Sequence, residues 1–164
     1  MSTVTVDVLM AFDALQGQYT AALDKQRMHD WLATFSNDES AAYICTTAEN
    51  IEAGFKIAWI LDDCRPRLLD RVTFVTKVWA GTYNEHRTRH VAQRTSWKAL
   101  DGGQFAFESN FIVTYCSADV RRAEVFATGT YNDLVRFEAD ELKFVKRQVI
   151  VDGHVLNRYL VFPL

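Results

Sequence analysis

Five ionisable side chains stand within six residues at Glu85, His86, Arg87, Arg89 and His90, at the mouth of an alternating run Val91, Gln93, Thr95, Trp97. Two imidazoles four apart would meet one metal on a helix, but the intervening Arg87 and Arg89 repel a cation. On a strand the same two histidines share a face with their α-carbons roughly 13 Å apart, too far for one ion. Salt bridging or contact with an acidic partner is the chemistry this segment favours, because arginine pairs bidentately with carboxylates. A second chemistry is proton transfer by a carboxylate or a His–Asp pair in an apolar pocket, for which Tyr19, Tyr43, Asp133 and His90 are the available residues. His29, His86, His90 and His154 are too scattered to specify a two-His, one-carboxylate iron site. Gly102-Gly103 falls between two strands rather than between strand and helix, which argues against a phosphate loop.

The elements that must position these residues are readable from periodicity. Val8, Phe12, Leu15, Tyr19 and Leu23 step by three or four and predict an amphipathic helix from Val4 to Leu23. Asp24 is a candidate N-cap for a second short helix carrying Met28, Trp31, Leu32 and Phe35, and Ser36-Asn37-Asp38 reads as a turn. Strands are expected at Ala41–Thr46 and Lys56–Leu61, then an acid-opened helix behind Asp62-Asp63 and Pro66, with Leu68, Val72, Val75 and Trp79 on one face. Four long antiparallel strands follow at 88–100, 104–116, 122–136 and 142–151, separated by Asp101-Gly102-Gly103, Ser117–Val120 and Glu138–Glu141. In the second of these Phe105, Phe107, Phe111, Val113 and Tyr115 share one face, and Glu108, Asn110 and Thr114 the other. The expected class is α+β, with helices packed on one side of a highly curved sheet.

The chain has 164 residues, which fits one domain spanning 1–164. Its 18 Lys and Arg against 21 Asp and Glu give a net charge of −3, which argues against nucleic-acid or anionic-membrane binding. With 49% hydrophobic and 13% aromatic residues, it has apolar surface to spare for either a large core or another subunit. Met1-Ser2-Thr3-Val4 lacks the basic start of a signal peptide, and no apolar run reaches a membrane span, so the cytoplasm is the expected location. Cys45, Cys64 and Cys116 suggest neither a disulfide framework nor a zinc ribbon.

Taken in order, Tyr19, Leu23, Asp24 and Trp31, then Asp62-Asp63 with Leu69-Asp70-Arg71-Val72, then Arg87-Thr88-Arg89-His90 form a recognisable series. It continues with Phe126-Ala127-Thr128-Gly129, Tyr131, Lys146-Arg147, Val151-Asp152 and Phe162-Pro163-Leu164. The series resembles the small (beta) subunits of aromatic-ring-hydroxylating Rieske non-heme iron oxygenases, of the kind found in terephthalate dioxygenase and salicylate hydroxylase systems. Val91-Ala92-Gln93-Arg94 departs from it, since many relatives continue more apolar after the histidine.

The resemblance implies a cone-shaped, cystatin-like or nuclear-transport-factor-like fold with a curved, mixed but largely antiparallel sheet on N-terminal helices. It implies a non-catalytic structural subunit whose chain holds no cofactor, with the Rieske iron-sulfur cluster and the mononuclear iron in a partner large (alpha) subunit. In keeping with that, no cysteine here is followed by His at Cys-x-His or Cys-x-x-His spacing. It further implies a hetero-hexamer of three large and three small subunits, served by a ferredoxin and reductase, hydroxylating an aromatic acid. Arg87, Arg89, His90, Phe162 and Leu164 are the expected subunit-interface residues. The rival reading is a free-standing cone-fold isomerase or dehydratase, and a cone filled by Phe105, Phe107, Phe111 and Trp79 would count against it.

Overall fold

The structure, a computed structural model, describes residues 3–164, with side chains from Val6 onward; Met1 and Ser2, half of the N-terminal signal argument, lie outside it. Helix α1 (Thr3–Asp24) buries Val8, Phe12, Leu15, Tyr19 and Leu23, the stripe its periodicity predicted. A tight turn leads to α2 (Met28–Ala33), whose Met28, Trp31 and Leu32 complete the helical layer. Asp24 is not the cap of α2: Arg27 holds that position without a side-chain bond, and Asp24 closes α1 with its carboxylate turned to the sheet.

Strand β1 (Ala42–Thr47) runs into a short helix that periodicity did not announce, α3 (Ala48–Glu52), whose N–H at Asn50 donates to Thr47 Oγ1 at 3.2 Å. The strand expected at 56–61 shrinks to β2 (Ile60–Asp62), because residues 54–57 are exposed behind α3 and find no neighbour to pair with. The next helix, α4 (Arg65–Thr73), starts with Pro66 in its first turn and continues as a π-turn through Val78, burying Leu68, Val72 and Val75. Its expected acidic opening is different in kind. Asp62 belongs to β2 and takes a bidentate bond from Arg71, in the last turn of the helix, at 2.9 and 3.2 Å.

The long strands are β3 (His86–Ala99), β4 (Gln104–Ser117), β5 (Ala123–Glu138) and β6 (Glu141–Val151). All six strands form one sheet in the order β2-β1-β6-β5-β4-β3, antiparallel except where β1 lies parallel to β6, residues 42–47 beside 146–151. Bulges at Arg94/Ser96, Val113/Thr114 and Leu134/Val135 bend the long strands, so the sheet wraps around α1. Phe12 of α1 stacks on Phe107 with centroids 3.8 Å apart, and Phe111 stacks on Tyr131 at 4.4 Å; these rings fill the cone beneath the helix.

The end of α1 also covers the free edge of β3. The Asp24 carboxylate accepts from the His90 backbone N–H at 3.3 Å, and Gln26 donates to the His86 carbonyl at 3.3 Å. Two main-chain groups that would otherwise recruit another strand are thereby occupied.

Candidate functional site

Alternation along β3 splits the basic cluster between two environments. Arg87 and Arg89 point outward and are exposed, and among the described residues neither has a carboxylate partner. Val91 follows them on the same outer face, paired in register with Ile112, while Val125 lies across from Thr114 one strand further. Val91, Ile112 and Val125 are 62%, 46% and 57% exposed, so the face is both basic and apolar.

His86, Thr88 and His90 point the other way, into the cone. His86 stacks on Tyr115 with centroids 4.8 Å apart, and its Nδ1 lies 2.9 Å from the Asn84 carbonyl. His90 Nδ1 donates to Asp24 Oδ1 at 2.7 Å, and Thr88 Oγ1 donates to the same oxygen at 3.1 Å. The acidic partner that the sequence reading sought for this segment is, for His90, inside the same chain. Phe162 is half-buried against Tyr83 and His86, and Leu164 is buried. Tyr19 Oη donates to the Leu164 carbonyl at 2.6 Å and Leu164 N–H donates to Tyr43 Oη at 2.8 Å. Of the five expected interface residues, His90 and Leu164 are thus committed to the interior, whereas Arg87 and Arg89 stand free on the outside.

The segment 157–164 crosses the open end of the cone and roofs a cavity of about 380 Å³. Leu23, Trp79, Val113 and Phe126 line it together with His86, Thr88 and His90. Phe107 and Phe111 fill the cone beside α1, but Trp79 sits on the cavity wall rather than plugging it.

Burial pushes the Asp24 carboxyl up, and the bonds from His90 and Thr88 outweigh this, holding it below its ordinary value of 3.8. A depressed carboxyl contributes stability that is complete above its unfolded value and is lost as pH falls through the folded one. Asp24→Asn is therefore expected to lower the urea midpoint at about pH 6 by more than it does at about pH 3. Equal gaps at the two pH values would refute the role assigned to Asp24.

The other titratable candidates are locked in the core. Asp133 and Arg147 are both fully buried; Arg147 donates from Nε and Nη2 to the two Asp133 oxygens at 2.8 and 2.7 Å, and also to Gln16 Oε1. The guanidinium lies 4.0–4.2 Å from the ring centroids of Phe144, Tyr19 and Tyr131. Burial pushes the Tyr19 hydroxyl up to about 12 and raises Tyr43 and Tyr131 as well, which leaves none of the three poised to exchange a proton. Burial likewise pushes the Cys45 thiol up to about 12, and no three His, Cys, Asp or Glu among the described residues converge as metal ligands. No described helix is long and apolar enough to cross a membrane.

Comparison with known proteins identifies this arrangement. Residues 19–158 match the family described as "Ring hydroxylating beta subunit". The chain belongs to that family. It is 28% identical over 166 residues to the anthranilate 1,2-dioxygenase small subunit of Burkholderia cepacia, covering 100% of both chains. It is 26% identical over 151 residues to the terephthalate 1,2-dioxygenase terminal oxygenase component subunit beta 2 of Comamonas sp, covering 92% of this chain and 95% of that one. A crystal structure assigned as the beta subunit of an aromatic-ring-hydroxylating dioxygenase from Novosphingobium aromaticivorans superposes with a TM-score of 0.80, at 24% identity and 92% coverage of each chain. The ring-hydroxylating beta subunit described here has the cystatin-like cone that the motif series implied.

Proposed function

We propose that this chain is a non-catalytic, structural beta subunit that supports a Rieske non-heme iron oxygenase hydroxylating an aromatic acid. The match of residues 19–158 to the beta-subunit family carries this reading, and anthranilate and terephthalate, which name two relatives' reactions, are both aromatic acids. In this reading the 164 residues act as one domain in the cytoplasm. Three copies join three large subunits that hold the iron-sulfur cluster and the mononuclear iron, and a ferredoxin and reductase deliver electrons to the complex.

The outer face of β3 is the surface proposed to meet the large subunit, with Arg87 and Arg89 pairing to its carboxylates and Val91, Ile112 and Val125 supplying apolar contact. Phe162, half-buried at the roof, completes the proposed contact from the inside. Replacing both arginines by glutamate is expected to weaken association at least ~10-fold while leaving the isolated chain's melting temperature unchanged, because both side chains are exposed. Co-purification and native mass spectrometry measure the first and thermal unfolding the second; unaltered assembly would sink the interface.

The whole reading is tested by affinity purification of the tagged chain from its native host with an iron assay on the eluate. A stoichiometric larger chain carrying iron supports it. An iron-free eluate with no partner moves the weight to a free-standing cone-fold isomerase or dehydratase, for which His90 on the cavity wall, bonded to Asp24 outside the lining, is the supporting observation.

A further inference from the structure

We propose that the cavity roofed by residues 157–164 is a binding site for a single-ring aromatic carboxylate, held by the terminal nitrogens of Arg158. The site is built from this chain's residues alone, so it stands or falls independently of the proposed assembly.

The cavity, about 380 Å³, has the size of a small-molecule site. The rings of Trp79, Tyr83, Tyr115 and Phe126 contribute to its wall. Such walls favour a flat ring over a flexible chain.

Charge selects the class among aromatic compounds. No Asp or Glu side chain lines the cavity, and Arg158 is the one Lys or Arg among the described residues that does. A cationic ligand therefore finds no counter-charge on this wall, and an anionic one does.

Arg158 is held in place without being used up. Its Nε donates to Glu124 Oε1 at 2.8 Å, and its guanidinium lies 4.9 Å from the Tyr115 ring centroid. Glu124 stands outside the lining and takes only the Nε–H, so Nη1 and Nη2 have no partner among the described residues. The side chain is 28% exposed and neither terminal nitrogen is buried, so a ligand can reach both. The planar fork that they form matches the two oxygens of a carboxylate. Fixing the guanidinium beforehand lowers the ordering cost of binding. Arg158 and the aromatic wall meet at Tyr115, which suits a carboxylate bonded directly to a ring.

The test uses the full chain at about pH 7, where benzoate is ionised, with benzoate, toluene and benzylamine as probes. Ligand-observed NMR measures binding, and the backbone resonances of Val113 and Leu160 on the cavity wall locate it. Benzoate is expected to bind saturably, to move those resonances, and to bind at least ~10 times more tightly than toluene or benzylamine. Arg158→Gln is expected to remove the preference for benzoate over toluene. Glu124→Gln breaks the same salt bridge but keeps the guanidinium, and is expected to retain or strengthen that preference. A guanidinium that only pinned the roof would make the two variants alike. If Arg158→Gln does not fold, the three probes on the unaltered chain and on Glu124→Gln still decide. Absence of saturable benzoate binding, equal binding of toluene, preference for benzylamine, or an equal loss in both variants overturns the assignment.

Discussion

Replacing Asp133 by alanine is expected to destabilise the protein by roughly 3–5 kcal/mol, enough to consume much of the stability of a domain this size. The reason is the company Arg147 keeps. Its guanidinium is fully buried and three rings cover it, and because a guanidinium does not give up its proton inside a protein it stays charged when its partner is removed. Removing Asp133 leaves a cation facing only the carbonyl of Gln16, with Arg147 Nη1 already unpaired. The double variant Asp133→Leu, Arg147→Met should recover most of the loss, since it removes both charges and keeps the volume. Urea unfolding of the three proteins measures it, and a single variant within about 1 kcal/mol of the parent would show that the pair does not anchor the core.

Gly129→Ala is the second change expected to be severe. Gly129 lies in β5 where it pairs with β6, and a Cβ there would run into the Ile150 carbonyl oxygen and press on the Phe111 ring. The obstacle is main chain held by the sheet ladder, so it cannot rotate aside as a side-chain tip would. The expected loss is about 3 kcal/mol or more, the upper range for overpacking, and it should appear in unfolding experiments as a lowered midpoint. A melting temperature equal to that of the parent would mean that β5 and β6 separate more easily than their pairing suggests.

Arg147 and Gly129 lie among the motif residues that carried the resemblance, Asp133 does not, and the structure supplies physical reasons for several members of the series. Asp24 with His90, Asp62 with Arg71, and Arg147 with Asp133 are polar anchors, and Gly129 is a point of close approach. The four long strands were legible because Phe105 to Tyr115 alternate cleanly and Asp101-Gly102-Gly103 breaks the chain where two positive φ angles are needed. The pairings were not legible. Asp24 and His90 are distant in sequence, and Asp24 carries the residue type of a helix cap, so local reasoning assigned it to α2. α3 escaped notice because five residues with no buried side chain leave no periodic stripe. The two faces of β3 were foreseeable from alternation, yet reading the five ionisable residues as one cluster merged an exterior pair of arginines with an interior histidine.

The parallel contact between β1 and β6 sets the order of events during synthesis. Residues 42–47 can pair early with β2 on one side but find their parallel neighbour only when 146–151 have been made, and Tyr19 and Tyr43 meet Leu164 later still. The N-terminal third therefore waits, with its aromatic stripe unshielded, for the last strand to leave the ribosome. High contact order of this kind makes closure of the sheet a late step, and whatever meets the chain before it, a large subunit or a chaperone, meets helices whose aromatic faces are still uncovered.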